Sequence, residues 1–208
     1  ETPISYLTFS GTYADAGRIG PLSLSGNAGI VLGVRGLGNT ENEFAFKRYL
    51  GRPNFVALRG GGAIGWTSAA GGTFARLRTT FQYAPQPLVS NEQFAYGGAD
   101  TVRGYIESES FADRGFAGSA EVGATWFRGD DTARGLDTYL FTDAAVGSIE
   151  SPLPGQLARV DLSSVGAGLH LRRPAWLDAR LEWARAIVDG PRTASGDDRW
   201  HFAVRIGL

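Results

Sequence analysis

The chain has 208 residues, 20 basic and 21 acidic side chains, a formal net charge of −1, 30 glycines, no cysteine and no methionine. These figures exclude a disulfide scaffold, thiolate metal or redox chemistry, and the basic footprint of a nucleic-acid binder. Glycine without a collagen period, beside 43% hydrophobic and 12% aromatic residues, points to β-structure with many turns.

No apolar run approaches the length of a membrane helix, so a chain of this kind spans a bilayer only as a barrel. With no methionine, Glu1 reads as a processed or excised end. Segments of roughly ten residues with period-two patterning, the strand signal of such barrels, then follow one another along the chain. They are Ile4–Tyr13, Leu22–Gly36, Phe55–Thr67, Thr73–Ala84, Gly115–Phe127, Thr138–Gly147, Ser163–Arg172, Asp178–Val188 and a last one ending at Leu208. In the fifth, Ala120, Val122, Ala124 and Trp126 oppose Ser119, Glu121, Gly123 and Thr125. In the seventh, Val165, Ala167, Leu169 and Leu171 oppose Ser164, Gly166, Gly168 and His170. The last is the cleanest: Trp200, Phe202, Val204, Ile206 and Leu208 lie on one face, His201, Ala203, Arg205 and Gly207 on the other.

A soluble sandwich also alternates, so the connections arbitrate. Ala14–Pro21, Ser68–Gly72 and Arg173–Leu177 are short, with Arg128–Asp137 intermediate but in a short slot. Leu37–Asn54, Pro85–Arg114, Ser148–Leu162 and Asp189–Arg199 are long and fall between them. Short periplasmic turns alternating with long external loops are the order of an outer-membrane barrel. Trp66, Trp126, Phe127, Trp176 and Trp200, near strand ends, suit interfacial girdles or an ordinary core. The fold class is therefore all-β, an antiparallel transmembrane barrel, with residues 1–208 as one barrel portion. An odd count of about nine strands leaves two versions. One segment is not a strand and the chain is a small eight-stranded barrel, or the chain is the C-terminal part of a larger barrel whose missing strands cover its open edges. The second is preferred, because an uncovered edge in lipid leaves backbone groups unsatisfied.

The long loop 85–114 carries Gly97-Gly98-Ala99-Asp100-Thr101-Val102-Arg103-Gly104-Tyr105. Asp143 shares parity with Phe141 and Tyr139, opposite Leu140, Thr142 and Ala144. A carboxylate does not face lipid cheaply, so Asp143 belongs on the lumen side. Glycines around Arg103 let the loop fold inward. There Arg103 is expected to pair with Asp143, with Glu121 as a second acceptor.

The Val102-Arg103-Gly104-Tyr105 segment resembles the Val-Arg-Gly-Phe/Tyr loop motif of the outer-membrane assembly and secretion superfamily, which includes BamA, TamA and the two-partner secretion transporters. Gly118-Ser119-Ala120-Glu121 resembles the strand after that loop. Phe141-Thr142-Asp143-Ala144-Ala145 resembles the Phe-x-Asp-x-Gly strand, departing at Ala145. Together with Gly51-Arg52-Pro53-Asn54, the form looks most like the secretion transporters. The resemblance implies the last strands of a sixteen-stranded barrel, the loop locked in the lumen by Asp143, Phe141 and Glu121, and translocation of a polypeptide client. It implies outer-membrane lipid as surroundings and the barrel-assembly machinery as insertion partner. Phe202, Val204, Ile206 and Leu208 are then a candidate assembly signal, with Leu208 standing where the family has an aromatic.

Enzyme readings find little. The two histidines, His170 and His201, lie on polar faces without metal-ligand spacing. Gly60-Gly61-Gly62 lies inside a strand with no phosphate-binding lysine after it. No cofactor, metal or nucleic-acid partner is expected. Two rivals to translocation remain: a BamA- or TamA-like assembly barrel, and a small structural or adhesive barrel without transport.

Overall fold

A computed structural model describes residues 4–35, 38, 40–69, 72–126, 135–173 and 177–207. In it nearly every alternating segment is a strand, for the reason that shows most clearly at β8 (Gly135–Ser148). Asp137, Tyr139, Phe141, Asp143 and Ala145 are buried on one face, while Leu140, Thr142 and Ala144 are exposed on the other. Side chains of a strand alternate between faces, so a sequence alternating in polarity sorts them by face.

The strands are β1 (Leu7–Ile19), β2 (Leu22–Val34), β3 (Val56–Thr67), β4 (Thr73–Tyr83), β7 (Arg114–Trp126), β8, β9 (Arg159–Arg173), β10 (Leu177–Ala186) and β11 (Asp198–Arg205), and each pairs antiparallel with the next. A separate two-stranded hairpin, β5 (Phe94–Tyr96) with β6 (Ser110–Ala112), stands in the long loop between β4 and β7. The nine strands form one open sheet in which β1 and β11 are the edges, with no pairing between them among the described residues. The small closed eight-stranded barrel is therefore incorrect. Both edges keep free hydrogen-bonding groups, which in a membrane require further strands.

The strand bounds shift from those read in the sequence. β1 runs on to Ile19, so the first turn is only Gly20-Pro21, with Gly20 at φ 57°. The register Ile19↔Leu22 through Leu7↔Val34 explains the extension: antiparallel pairing rewards every further residue opposite a partner, whatever its polarity. β9 begins at Arg159 for the same reason, pairing back to Ser148. Leu37–Asn54 also contains a short helix, α1 (Glu41–Lys47), that alternation could not reveal; Thr40 and Glu43 form a capping box at its start.

One face of the sheet has no protein cover. Phe9, Tyr13, Ile64, Val122, Leu140, Phe202 and Ile206 stand exposed on it at 45–81%. Trp66, Trp126 and Trp200 are exposed there too, at 40%, 53% and 65%, so the core reading of these three does not hold. Phe127 and Trp176 lie outside the described residues. An apolar face this large fits hydrocarbon and not water. No helix among the described residues is long and apolar enough to cross a membrane, and the strands supply the crossing.

The opposite face carries the core. The β5–β6 hairpin lies against β7, β8, β9 and β10, burying Tyr96, Val102, Tyr105 and Ala112 with Ala117, Ala145, Leu162 and Ala186. Gly147 makes room for it: a Cβ there would sit 2.5 Å from the Tyr96 ring. Beside the hairpin, whose Phe94 also borders it, the same face of β2–β4 lines an open trough of about 970 Å³, with Asn27, Arg59, Arg78, Thr80 and Gln82 among its walls.

Candidate functional site

The tip of the hairpin is closed by its own backbone. Gly97 and Gly98 take φ of 102° and 101°, a region open to glycine and strained for other residues. That bend lets Gly98 N–H donate to the Val102 carbonyl at 3.1 Å and Gly97 N–H to the Thr101 hydroxyl at 2.8 Å. Ala99 N–H donates to Glu107 at 2.8 Å, closing the tip from its other side. Val102-Arg103-Gly104-Tyr105 is thereby pressed onto the sheet, with Val102 and Tyr105 fully buried.

Arg103 is 5% exposed and uses its whole guanidinium. Nε donates to Asp143 Oδ2 at 2.9 Å and Nη2 to Oδ1 at 2.7 Å, a bidentate fork. The Arg103 backbone N–H adds a third bond to Oδ2 at 3.0 Å. Nη1 donates to Glu121 Oε1 at 2.9 Å and to Glu182 Oε1 at 2.6 Å, and Nη2 reaches the Ser119 hydroxyl at 2.8 Å. The guanidinium carbon lies 3.3 Å from the centre of the Phe141 ring. Fork, stacking and extra donors are the combination that only arginine offers. Burial disfavours its charged form, but the hydrogen bond to Asp143 and the charges of Asp143, Glu182 and Glu121 outweigh that and raise its pKa above the ordinary arginine value.

Sheet register explains why these side chains converge. Asp143 lies opposite Ser119 on β7 and Ser164 on β9, and Glu121 lies opposite Phe141 and Arg76. Glu182 on β10 lies opposite Gly168 on one side and His201 on the other. Arg103 thus meets side chains from β7, β8 and β10, while His201 on β11 donates Nε2–H to the Arg103 carbonyl at 2.6 Å. Arg76 lies 3.7 Å from Glu121 and 3.6 Å from Asp137, which Arg172 also contacts at 2.8 Å, so the charged cluster continues toward the short-turn end.

Over residues 6–171 the chain matches the family model described as haemolysin secretion/activation protein ShlB/FhaC/HecB. The chain belongs to this family, the two-partner secretion transporters of the bacterial outer membrane. Its fold is similar to that of CdiB from Escherichia coli, at a TM-score of 0.76 and 14% identity, covering 96% of this chain and 36% of that one. It is likewise similar to CdiB from Acinetobacter baumannii, at 0.66 and 19%, covering 94% and 32%. The chain thus spans about a third of the length of either solved protein. No curated protein sequence matches it.

In this secretion-family barrel portion, the structure brings Arg103, Asp143, Glu121 and Phe141 of the sequence-derived set into contact. Gly104 is needed for closeness, since a Cβ would stand 2.7 Å from Ser164 Cβ and 2.8 Å from Ala186 N. The Tyr105 hydroxyl lies 2.7 Å from the Val188 carbonyl and 3.0 Å from that of Ser163. Phe202, Val204 and Ile206 stand 60–81% exposed on the apolar face, remote from this site, and Leu208 lies outside the described residues. His170 contacts Asp178 at 3.1 Å and takes no part in the loop site.

Glu182 was missed, although the rule that placed Asp143 applies to it: a carboxylate between Leu181 and Trp183 in a membrane strand turns inward. Buried Asp113 was missed as well. It accepts from Leu88 N–H at 2.8 Å, Gln93 at 3.0 Å, Glu150 N–H at 2.7 Å and Arg48 at 3.2 Å, fastening the base of the hairpin to its neighbours. Its partners come from three loops, and period-two patterning carries no signal for that.

Proposed function

We propose that this chain is the C-terminal barrel portion of a transporter that moves a polypeptide client across the outer membrane, and that residues 1–208 act as one domain with loop 85–114 folded into its lumen. Val102-Arg103-Gly104-Tyr105 is the functional segment of that loop, with Asp143, Phe141 and Glu121 as its lumen partners. One observation carries the reading. A single buried guanidinium is spent entirely on holding an external loop against the inner face of the barrel wall, far more binding than a surface loop requires. So anchored, the loop shapes the inner wall beside the polar trough over β2–β4, where an extended client chain passes. The chemistry is binding and guidance, with no bond made or broken, so the protein is not an enzyme in this reading.

The family assignment supports secretion over membrane-protein assembly. Lipid surrounds the exposed apolar face, and the barrel-assembly machinery recognises the alternating C-terminal strand during insertion. The test is Arg103→Ala in the intact transporter. Client secretion is expected to fall at least about tenfold, the ratio set by one lost charge-assisted contact, while the barrel still reaches the outer membrane. Wild-type secretion by an inserted Arg103→Ala protein would refute the mechanism.

A further inference from the structure

Glu109 is 3% exposed, and it has no ion-pair partner among the described residues. Burying a carboxylate without a cation is unfavourable unless hydrogen bonds take its charge. Here they come from one place. Oε1 accepts the backbone N–H groups of Arg192 at 2.6 Å and Thr193 at 3.0 Å, and Oε2 accepts the Thr193 hydroxyl at 2.9 Å. All three belong to the connection between β10 and β11, whose turn is closed by Gly190 N–H on the Thr193 carbonyl at 2.8 Å. Arg192 returns the contact, its guanidinium donating to the Ser108 carbonyl. Gly190 is needed for the fit, since a Cβ would lie 2.8 Å from Glu109 Oε1 and 3.1 Å from the Tyr105 ring.

The loop therefore grips the last hairpin along its length. It holds the tip through Glu109, the segment just past β10 through Tyr105 on Val188, the middle of β10 through Arg103 on Glu182, and β11 through His201 on the Arg103 carbonyl. β11 pairs along its length with β10. The loop contacts across the face of this hairpin add to its backbone ladder in holding it.

We propose that Glu109 is a second anchor of the loop, a positioning residue that clips it to the tip of the β10–β11 hairpin and so couples the seat of Arg103 to β11. The inference rests on the reading of loop 85–114 as an inward-folded functional element. Its consequence is that the loop does not leave its seat without loosening β11, and that displacement of β11 loosens the loop.

The experiment is hydrogen exchange followed by mass spectrometry on the intact transporter in micelles. It compares wild type, Glu109→Ala and Glu109→Gln, the last retaining an acceptor oxygen for the two N–H groups. Glu109→Ala is expected to speed exchange about tenfold both in 98–107 and in 198–205, leaving 159–173 at the wild-type rate. Glu109→Gln is expected to stay near wild type. Acceleration confined to 189–197, or none, would overturn the coupling. So would acceleration reaching 159–173, which would make Glu109 a general support of the sheet. No client is present in this measurement, so its failure is distinguishable from failure of the secretion reading, which Arg103→Ala tests by itself.

Discussion

Replacing Arg103 by alanine leaves Asp143, Glu121 and Glu182 facing an empty seat. The side chains of Arg103 and Asp143 are 6% and 0% exposed, so screening by water is weak. At an effective dielectric of 20, unit charges ~4 Å apart interact by ~4 kcal/mol, and removing one partner of a buried pair costs ~3–5 kcal/mol. Asp143→Ala removes the fork and the bond to the Arg103 N–H but leaves the guanidinium on Glu121 at 2.9 Å and Glu182 at 2.6 Å. It is therefore expected to cost less, ~2–3 kcal/mol, within the range for losing a buried charge-assisted contact. In the double variant the repulsive site has lost one of its three carboxylates, so its cost should fall short of the sum of the singles by ~2 kcal/mol. Amide protection of residues 98–107 in the intact transporter reads the free energy of loop opening for each of the four proteins. Additive single effects, or an Asp143→Ala cost equal to that of Arg103→Ala, would refute this account of the seat.

Gly104→Ala keeps every charge but places a Cβ 2.7–3.0 Å from Ser164, Ala186 and Arg185 atoms on β9 and β10. Overpacking of this kind costs ~1–3 kcal/mol, and the expected result is faster exchange in 98–107 with the sheet unchanged; wild-type protection would show that the approach is looser than the structure gives. Replacing Phe202 and Ile206, exposed at 81% and 69%, by serine should lower the yield of inserted barrel measured in outer-membrane fractions, and an unchanged yield would remove the assembly-signal role from this face. The Arg103→Ala secretion assay and the Glu109 exchange experiment complete the set.

How far the sequence reached follows from the range of the interactions concerned. Faces, strand order and the alternation of short and long connections were legible because a strand sorts side chains with period two and a membrane barrel gives the two faces opposite solvents. The same rule placed Asp143, Phe141 and Glu121 on one face, and it reached Glu182 equally, where it was not applied. α1, the extension of β1 to Ile19, and the hubs at Asp113 and Glu109 escaped it. Each depends on pairing or capping with residues that alternation does not mark.

The sequence by itself determined that Arg103 is a loop arginine between glycines and that carboxylates line the face it turns to. It did so because the cost of a charge in lipid is local to each strand. Only the tertiary structure decided that three carboxylates from β7, β8 and β10 share one guanidinium, and that the loop also holds the last hairpin through Glu109 and His201. Those contacts join residues 18 to 98 positions apart. Their distances are set by sheet register and by glycines that let backbone and ring approach, and neither quantity is written in the local pattern of any one strand.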